Sequence, residues 1–353
     1  MVFQESRIKI DNKQVLSYLE QFKDSLFFDI ETTGLYWKNS HLYLIGAASY
    51  ENSGWTVKQW FLDQPAYEAG LLDEFSGICK GKKRIVHYNG NGFDIPYLQK
   101  KYSFYQKINP FASLESLDLY RRARPFQKLF NLSSMKLKSV EQFMNLNRKD
   151  AFTGKELIRV YTDYLRSRDA HLLGTLMLHN LEDVTALIQL LPILSYESVK
   201  EGRYSVGKSV LKDHTLTIDL KLDSPVPISV SEEFEFYSLA LCDNSGSLAV
   251  ITKDCMMKHF FSDYKNYYYL PLEDEAIHKS IGAFVDREHR EKAKPANCYQ
   301  KMDGVFLPQL TKRFQPIFYE DYKTSPAYFL YEKDILRDKE ALYLYTYDYL
   351  SAL

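Results

Sequence analysis

The sequence predicts an α/β fold: a mixed five-stranded sheet flanked by helices over residues 1–195, then a β-rich C-terminal region over residues 200–353. Three observations carry this. Apolar or alternating runs at 25–31, 42–48 and 55–61 are joined by short polar turns, the pattern of an antiparallel meander. From residue 66 onward helical and strand patterns alternate, which adds strands with helices on the sheet faces. After Pro192 the composition shifts to runs that alternate residue by residue, such as 213–222 and parts of 234–252.

Taken in order, residues 12–23 form a short amphipathic helix with Val15, Leu16, Leu19 and Phe22 on one face. The opening strand at 25–31 is broken by Gly34, and Asn52-Ser53-Gly54 turns the second strand into the third. A helix at 66–79 leads to a strand at 84–88 and a Gly-rich turn at 89–92. A helix then starts near Asp94, a short strand follows at 115–119, and the chain is mostly helical to Leu191. In the second region Pro225, Pro227 and Gly246 mark turns. A helix is expected over 275–293, with strand-like runs at 304–308, 316–320 and 327–332.

At 353 residues the chain is long enough for two domains with buried cores. A charged fraction of 26% and a hydrophobic fraction of 45% are those of an ordinary globular protein. The N-terminal stretch is polar and mixed in charge, and no apolar run reaches 18 residues, so a cytoplasmic protein without a membrane span is expected. Cys79, Cys242, Cys255 and Cys298 are scattered without a CxxC pair, which argues against a zinc knuckle or a disulfide framework.

The chemistry concentrates in a few acids. In Leu26-Phe27-Phe28-Asp29-Ile30-Glu31 the period of two places Asp29 and Glu31 on one face of a strand, with Phe28 and Ile30 on the other. Neighbouring carboxylates repel, and a divalent cation with oxygen ligands relieves them. A solvated edge strand is the alternative. Asp94 follows Tyr88-Asn89-Gly90-Asn91-Gly92-Phe93 at a strand-to-helix junction, where glycines let a phosphate or metal approach the backbone. Asp is also a common helix N-cap. His179 and Asp183 lie four apart, one turn from each other on a helical face. Taken alone, the pair reads first as a plain exposed polar face.

Taken together these stretches resemble the DEDD 3′–5′ exonucleases. Phe28-Asp29-Ile30-Glu31-Thr32-Thr33-Gly34-Leu35 is similar to their first motif, Tyr88 to Asp94 to the second, and His179-Asn180-x-x-Asp183 to the third. Leu117-Asp118-Leu119, Arg121-Arg122 and residues 137–141 extend the resemblance to the YprB-like ribonuclease H-like proteins. It covers residues 24–192. It implies a ribonuclease H-like fold and a metal-dependent 3′–5′ exonuclease that hydrolyses phosphodiester bonds of DNA or RNA with two Mg²⁺ or Mn²⁺ ions. On the same basis Asp29 bridges both ions, Glu31 and Asp183 hold the ion that activates water, and Asp94 supports the second ion through water. His179 orients or deprotonates the water.

The chain departs from the family at one point. The DEDD families carry Tyr four residues before the last Asp or His five before it, and this chain has His at the Tyr spacing. An imidazole with a pKa of about 6.5 is a better base at neutral pH than a phenol at about 10.

The expected substrate is a single-stranded 3′ end. Net charge is only −1, so attraction to phosphates must be local. Residues 80–138 hold thirteen basic side chains against three acidic ones, with aromatic residues interleaved. Thr32, Asn89, Asn91, Arg121 and Arg122 are the candidate nucleic-acid contacts. In the C-terminal region the cluster Tyr264, Tyr267, Tyr268 and Tyr269 and the basic run 287–294 either grip a strand or are core and a solvated helix. Two alternative readings stand beside the nuclease: a catalytically weak nucleic-acid-binding module, or a protein whose C-terminal region recruits a protein partner. No GxxxxGK[ST] loop is present to supply a helicase activity.

Overall fold

Six strands, not five, form the sheet of the first of two units, Met1–Glu197 and Ser198–Leu353. The computed structural model describes residues 1–332 and 337–353. Unit 1 runs through β1 (Val2–Arg7), α1 (Lys13–Leu19), β2 (Ser25–Thr32), β3 (Leu42–Glu51) and β4 (Gly54–Phe61). It continues with α2 (Glu68–Cys79), β5 (Arg84–His87), α3 (Asp94–Phe104), β6 (Glu115–Asp118) and α4 (Leu119–Ala123). Then come α5 (Leu137–Phe143), α6 (Gly154–Ser167) and α7 (Ala170–Gln189).

The spatial order is β1-β4-β3-β2-β5-β6. The first four strands pair antiparallel, while β2–β5 and β5–β6 pair parallel. The extra strand is β1, which adds to the β4 edge from Val2 opposite Phe61 to Arg7 opposite Thr56. Its side chains are largely exposed, with Phe3 resting on Trp60 at a ring separation of 5.7 Å. Backbone pairing rather than apolar burial holds it, so the hydrophobic pattern carried no trace of it.

Strand β2 sits centrally, with Phe28 and Ile30 in the main core beside Leu71, Phe75 and Leu98. A buried ion pair ties the 33–41 loop down. Glu68 accepts from the Leu42 N–H at 2.6 Å and pairs with Lys101 Nζ at 2.8 Å, and Lys101 also donates to the Ser40 carbonyl at 2.7 Å.

Unit 2 is β-rich. A five-stranded antiparallel sheet uses β7 (Tyr204–Lys212), β8 (Thr215–Leu222), β9 (Val230–Glu233), β10 (Tyr237–Cys242) and β11 (Ser245–Ile251) in the order β7-β8-β11-β10-β9. Two three-stranded sheets follow, built from β12 (Lys253–Phe260), β13 (Tyr267–Leu270), β14 (Glu275–His278), β15 (Glu291–Lys292), β16 (Tyr299–Gln309) and β17 (Ala327–Leu330).

The helix expected over 275–293 does not form. That stretch holds β14, a four-residue helix Lys279–Gly282, a single turn at Arg287–His289, and β15. Ile281 and Phe284, two of the apolar residues at helical spacing, are 61% and 90% exposed and find no core to pack against. Instead β14 and β15 flank β13, whose backbone groups are paired on both sides. Of the 316–320 run only isolated bridges at Phe318 and Tyr319 appear. A helix at Lys339–Leu350 was not anticipated. Its Tyr345 and Tyr349 are buried and donate hydroxyls to the Pro308 carbonyl at 2.9 and 2.7 Å.

Candidate metal centre

Helix α7 crosses over β2, β3 and β4, and one glycine sets how closely. Gly46 of β3 lies directly across from Asp29 of β2 and from Gln59 of β4. A Cβ there would stand 2.0 Å from Asn180 Oδ1 and 2.9 Å from Val184 Cγ2. Only a residue without a side chain lets the helix settle this low. Asn180 then reaches Asp29, donating from Nδ2 to Oδ2 at 3.0 Å. Its own Oδ1 accepts from Gln59 Nε2 at 2.9 Å, which fixes the amide's orientation.

One turn along, His179, Asp183 and Glu31 converge. His179 Nε2 lies 3.4 Å from Glu31 Oε1 and 3.3 Å from Asp183 Oδ2. One donor atom from each of the three falls within 4.8 Å of the others. Glu31 is also steadied by Tyr43, whose hydroxyl is 3.4 Å from Oε2 and whose ring stacks on Tyr161 at 4.1 Å.

A segment without a motif completes the cluster. The loop after α5 delivers Arg148 and Asp150. Asp150 Oδ2 is 2.6 Å from His179 Nδ1. Arg148 Nη1 is 2.5 Å from Asp183 Oδ1 and 2.9 Å from Glu141 Oε1. The loop is clamped to α7 because the Lys149 and Asp150 N–H groups donate to the Glu182 carboxylate at 2.9 and 3.0 Å. Composition alone offered no signal for Arg148 or Asp150. Asn180 lies inside the third motif, but its reach to Asp29 depends on Gly46.

Asp94 opens α3. The preceding turn needs its glycines: a Cβ on Gly90 would meet the His87 ring at 2.7 Å. Asp118 holds that turn, accepting from the Asn89 N–H at 2.8 Å and the Asn91 N–H at 3.4 Å. Burial pushes the Asp94 carboxyl up to about 7, with Asp118 and Asp183 adding to it and the N–H groups of Asp94 and Ile30 opposing. Asp29 and Glu31 are likewise held well above the ordinary carboxylate range. Burial comes first, then the charges of Asp183 and Asp94. For Asp150 burial works the other way from its hydrogen bonds, and the Phe152 N–H and His179 hold it below its usual value. The charges of Asp183 and Asp94 therefore both bear on the paired acids of β2.

The expected nucleic-acid contacts have varied surroundings. Thr32 Oγ1 donates to the Gly34 carbonyl at 2.9 Å, next to a β-bulge at Glu31/Thr32. Asn89 has φ of 60° and shapes the turn, and Asn91 Oδ1 accepts from Ser116 at 2.8 Å. Arg121 is exposed, 3.7 Å from Asp118, and Arg122 pairs with Glu197 at 2.5 Å. Several other basic residues of 80–138 are also paired, among them Lys83 with Asp24, Arg84 with Glu115, and Lys107 with Asp73.

Residues 26–195 match the family model described as the RNase_H superfamily. The first unit has a ribonuclease H-like fold. The ribonuclease H-like unit accounts for the whole of that match, and no curated protein matches the chain in sequence. Among solved structures the chain is similar to a family B DNA polymerase from the archaeon Pyrobaculum calidifontis, with 14% identity and a TM-score of 0.41 over 69% of this chain and 35% of that one. It is also similar to exonuclease I of E. coli in complex with a dT13 oligonucleotide, with 12% identity and a TM-score of 0.34 over 61% of this chain and 54% of that one. The chain thus spans a third to a half of the length of these structures. No helix among the described residues is long and apolar enough to cross a membrane.

Proposed function

We propose that the ribonuclease H-like unit is a metal-dependent 3′–5′ exonuclease acting on single-stranded 3′ ends of DNA or RNA in the cytoplasm. The observation that carries this is the convergence of Glu31, His179 and Asp183, with the charges of Asp94 and Asp183 bearing on Asp29 and Glu31. Motif resemblance and the superfamily match support the same reading.

The residues fit divalent cations. Asp29 and Glu31, buried and raised further by the charges of Asp183 and Asp94, are a poor arrangement unless a cation offsets them, and carboxylate oxygens suit Mg²⁺ or Mn²⁺. Asp29, Glu31, Asp94 and Asp183 would hold two such ions. When bound, the ions supply the charge that aligns an attacking water and the leaving 3′ oxygen of a phosphodiester.

The chain's own part is positioning. Asn180 fixes Asp29, Tyr43 fixes Glu31, Arg148 fixes Asp183 and Asp150 fixes His179. Thr32, Asn89, Asn91, Arg121 and Arg122 are proposed as contacts to the nucleic acid. We assign the domains as 1–195 and 200–353, the second serving a protein partner or the strand itself.

Purified protein with Mg²⁺ or Mn²⁺ should shorten 5′-labelled single-stranded oligonucleotides from the 3′ end, and Asp29→Asn should not. Wild-type rates from Asp29→Asn, or no shortening of DNA or RNA with either ion, overturns the assignment.

A further inference from the structure

We infer that His179 is itself a metal ligand: Glu31, His179 and Asp183 form a mixed nitrogen–oxygen site that binds its ion through His179 Nε2 and prefers a first-row transition metal to Mg²⁺. The inference rests on the nuclease reading for the neighbouring carboxylates. It replaces the water-orienting role that the resemblance assigns to this side chain.

Spacing comes first. Bonds of about 2.0–2.1 Å from nitrogen and oxygen ligands to a tetrahedral ion put adjacent donors about 3.3 Å apart. The separations from His179 Nε2 to Glu31 Oε1 and Asp183 Oδ2 are 3.4 and 3.3 Å. The same distances are too long for the alternative, an imidazolium hydrogen-bonding to the two acids, since charge-assisted N–H···O bonds run at about 2.7–2.9 Å. The ring's other nitrogen shows what such a bond looks like here, at 2.6 Å to Asp150.

The second argument is the tautomer. Asp150 is bonded to donors on every side: Lys138 Nζ at 3.2 Å, the Phe152 N–H at 3.1 Å, and His179 Nδ1. Asp150 is therefore the acceptor, and Nδ1 carries the hydrogen. That leaves the lone pair on Nε2, in a side chain only 5% exposed and aimed at two carboxylates. A carboxylate behind a histidine whose second nitrogen faces an open ligand position is the arrangement by which proteins orient metal-binding imidazoles.

Ion preference follows. Carboxylate-only sites suit Mg²⁺, whereas imidazole adds affinity for transition ions and little for Mg²⁺. A histidine bound to the ion is not free to take a proton from water, so a water activated at this centre must pass its proton to solvent or substrate.

Mn²⁺ bound to the full chain is the probe. Pulsed EPR should show a directly coordinated ¹⁴N, absent in His179→Gln. In calorimetry His179→Gln should weaken Mn²⁺ binding by about 10- to 100-fold while leaving Mg²⁺ binding nearly unchanged. The EPR experiment on the unaltered protein stands even if the variant folds poorly. Mn²⁺ bound without nitrogen coupling, or equal losses for both ions, overturns the inference and leaves the four-carboxylate reading intact. Failure of both ions to bind at millimolar concentration overturns both.

Discussion

Two buried histidines flank β2, each near an aspartate, and they do opposite things. His87 closes β5. Its Nδ1 accepts from the Gly90 N–H at 3.0 Å and its Nε2 meets Ser116 Oγ at 2.8 Å, so both ring nitrogens are occupied. Asp118 stays 3.8 Å from the ring because its oxygens take the N–H groups of Asn89, Asn91 and Tyr120. Burial pushes His87 down to about 4, a neutral ring that staples a turn. His179 bonds Asp150 tightly through one nitrogen and turns the other toward Glu31 and Asp183 without a hydrogen bond. The lesson is that a buried His–Asp neighbourhood does not identify a site. What separates structure from chemistry is whether a ring nitrogen is left facing charge.

The largest expected effect lies on the carboxylate face itself. Asp29→Asn should lower turnover by at least about 1,000-fold, with an unchanged circular dichroism spectrum. A loss below tenfold would move the chemistry away from β2. Next come the two aspartates behind the rings. Asp150→Asn should weaken Mn²⁺ binding by about 10- to 100-fold. Asp118→Asn should change Mn²⁺ affinity by less than about threefold, because Asp118 serves backbone amides and reaches Asp94 only through its charge. Equal losses from both would erase the distinction between the two histidines.

A smaller effect is expected at the other ring. His87→Leu strands the Gly90 N–H and should cost about 1–3 kcal/mol of stability in denaturant unfolding, with no change in metal affinity. The smallest effect is in the pH profile. A carboxyl that holds its proton more tightly when folded stabilises the fold in acid. That contribution is withdrawn as pH rises from the ordinary 3.8 to about 7 for Asp94. Cations displace those protons, so the rise in Tm given by Mn²⁺ should grow across the same window. A Tm increment that is flat or shrinks between about pH 4 and pH 7 would contradict the burial of these acids.

Much of the sheet was legible because its strands are apolar and regular. In β2 the period of two is enough by itself to put Asp29 and Glu31 on one face. β1 was not legible, since an edge strand held by backbone bonds leaves no hydrophobic trace. The candidate site was half legible. Carboxylates in motif spacing announce themselves. Arg148 and Asp150 sit in an irregular loop, where an arginine and an aspartate look like any solvated pair, and only the Glu182 clamp to α7 brings them to the site. The 275–293 stretch misled for the reverse reason: apolar residues recur at helical spacing, but its ends pair with β13 as strands instead.

Gly46 has no side chain to bring to the site, yet it sets how the site can change over time. Positions 46, 59 and 180 form one lock, because Gly46 makes room for an amide that Gln59 orients onto Asp29. Gly46→Ala should displace Asn180 and release Asp29, and a smaller residue at 180 should restore the fit but not the hydrogen bond. In any lineage that keeps the activity these three positions are expected to vary together or not at all. In one that has shed it, Gly46 is where the drift can begin without replacing a single carboxylate.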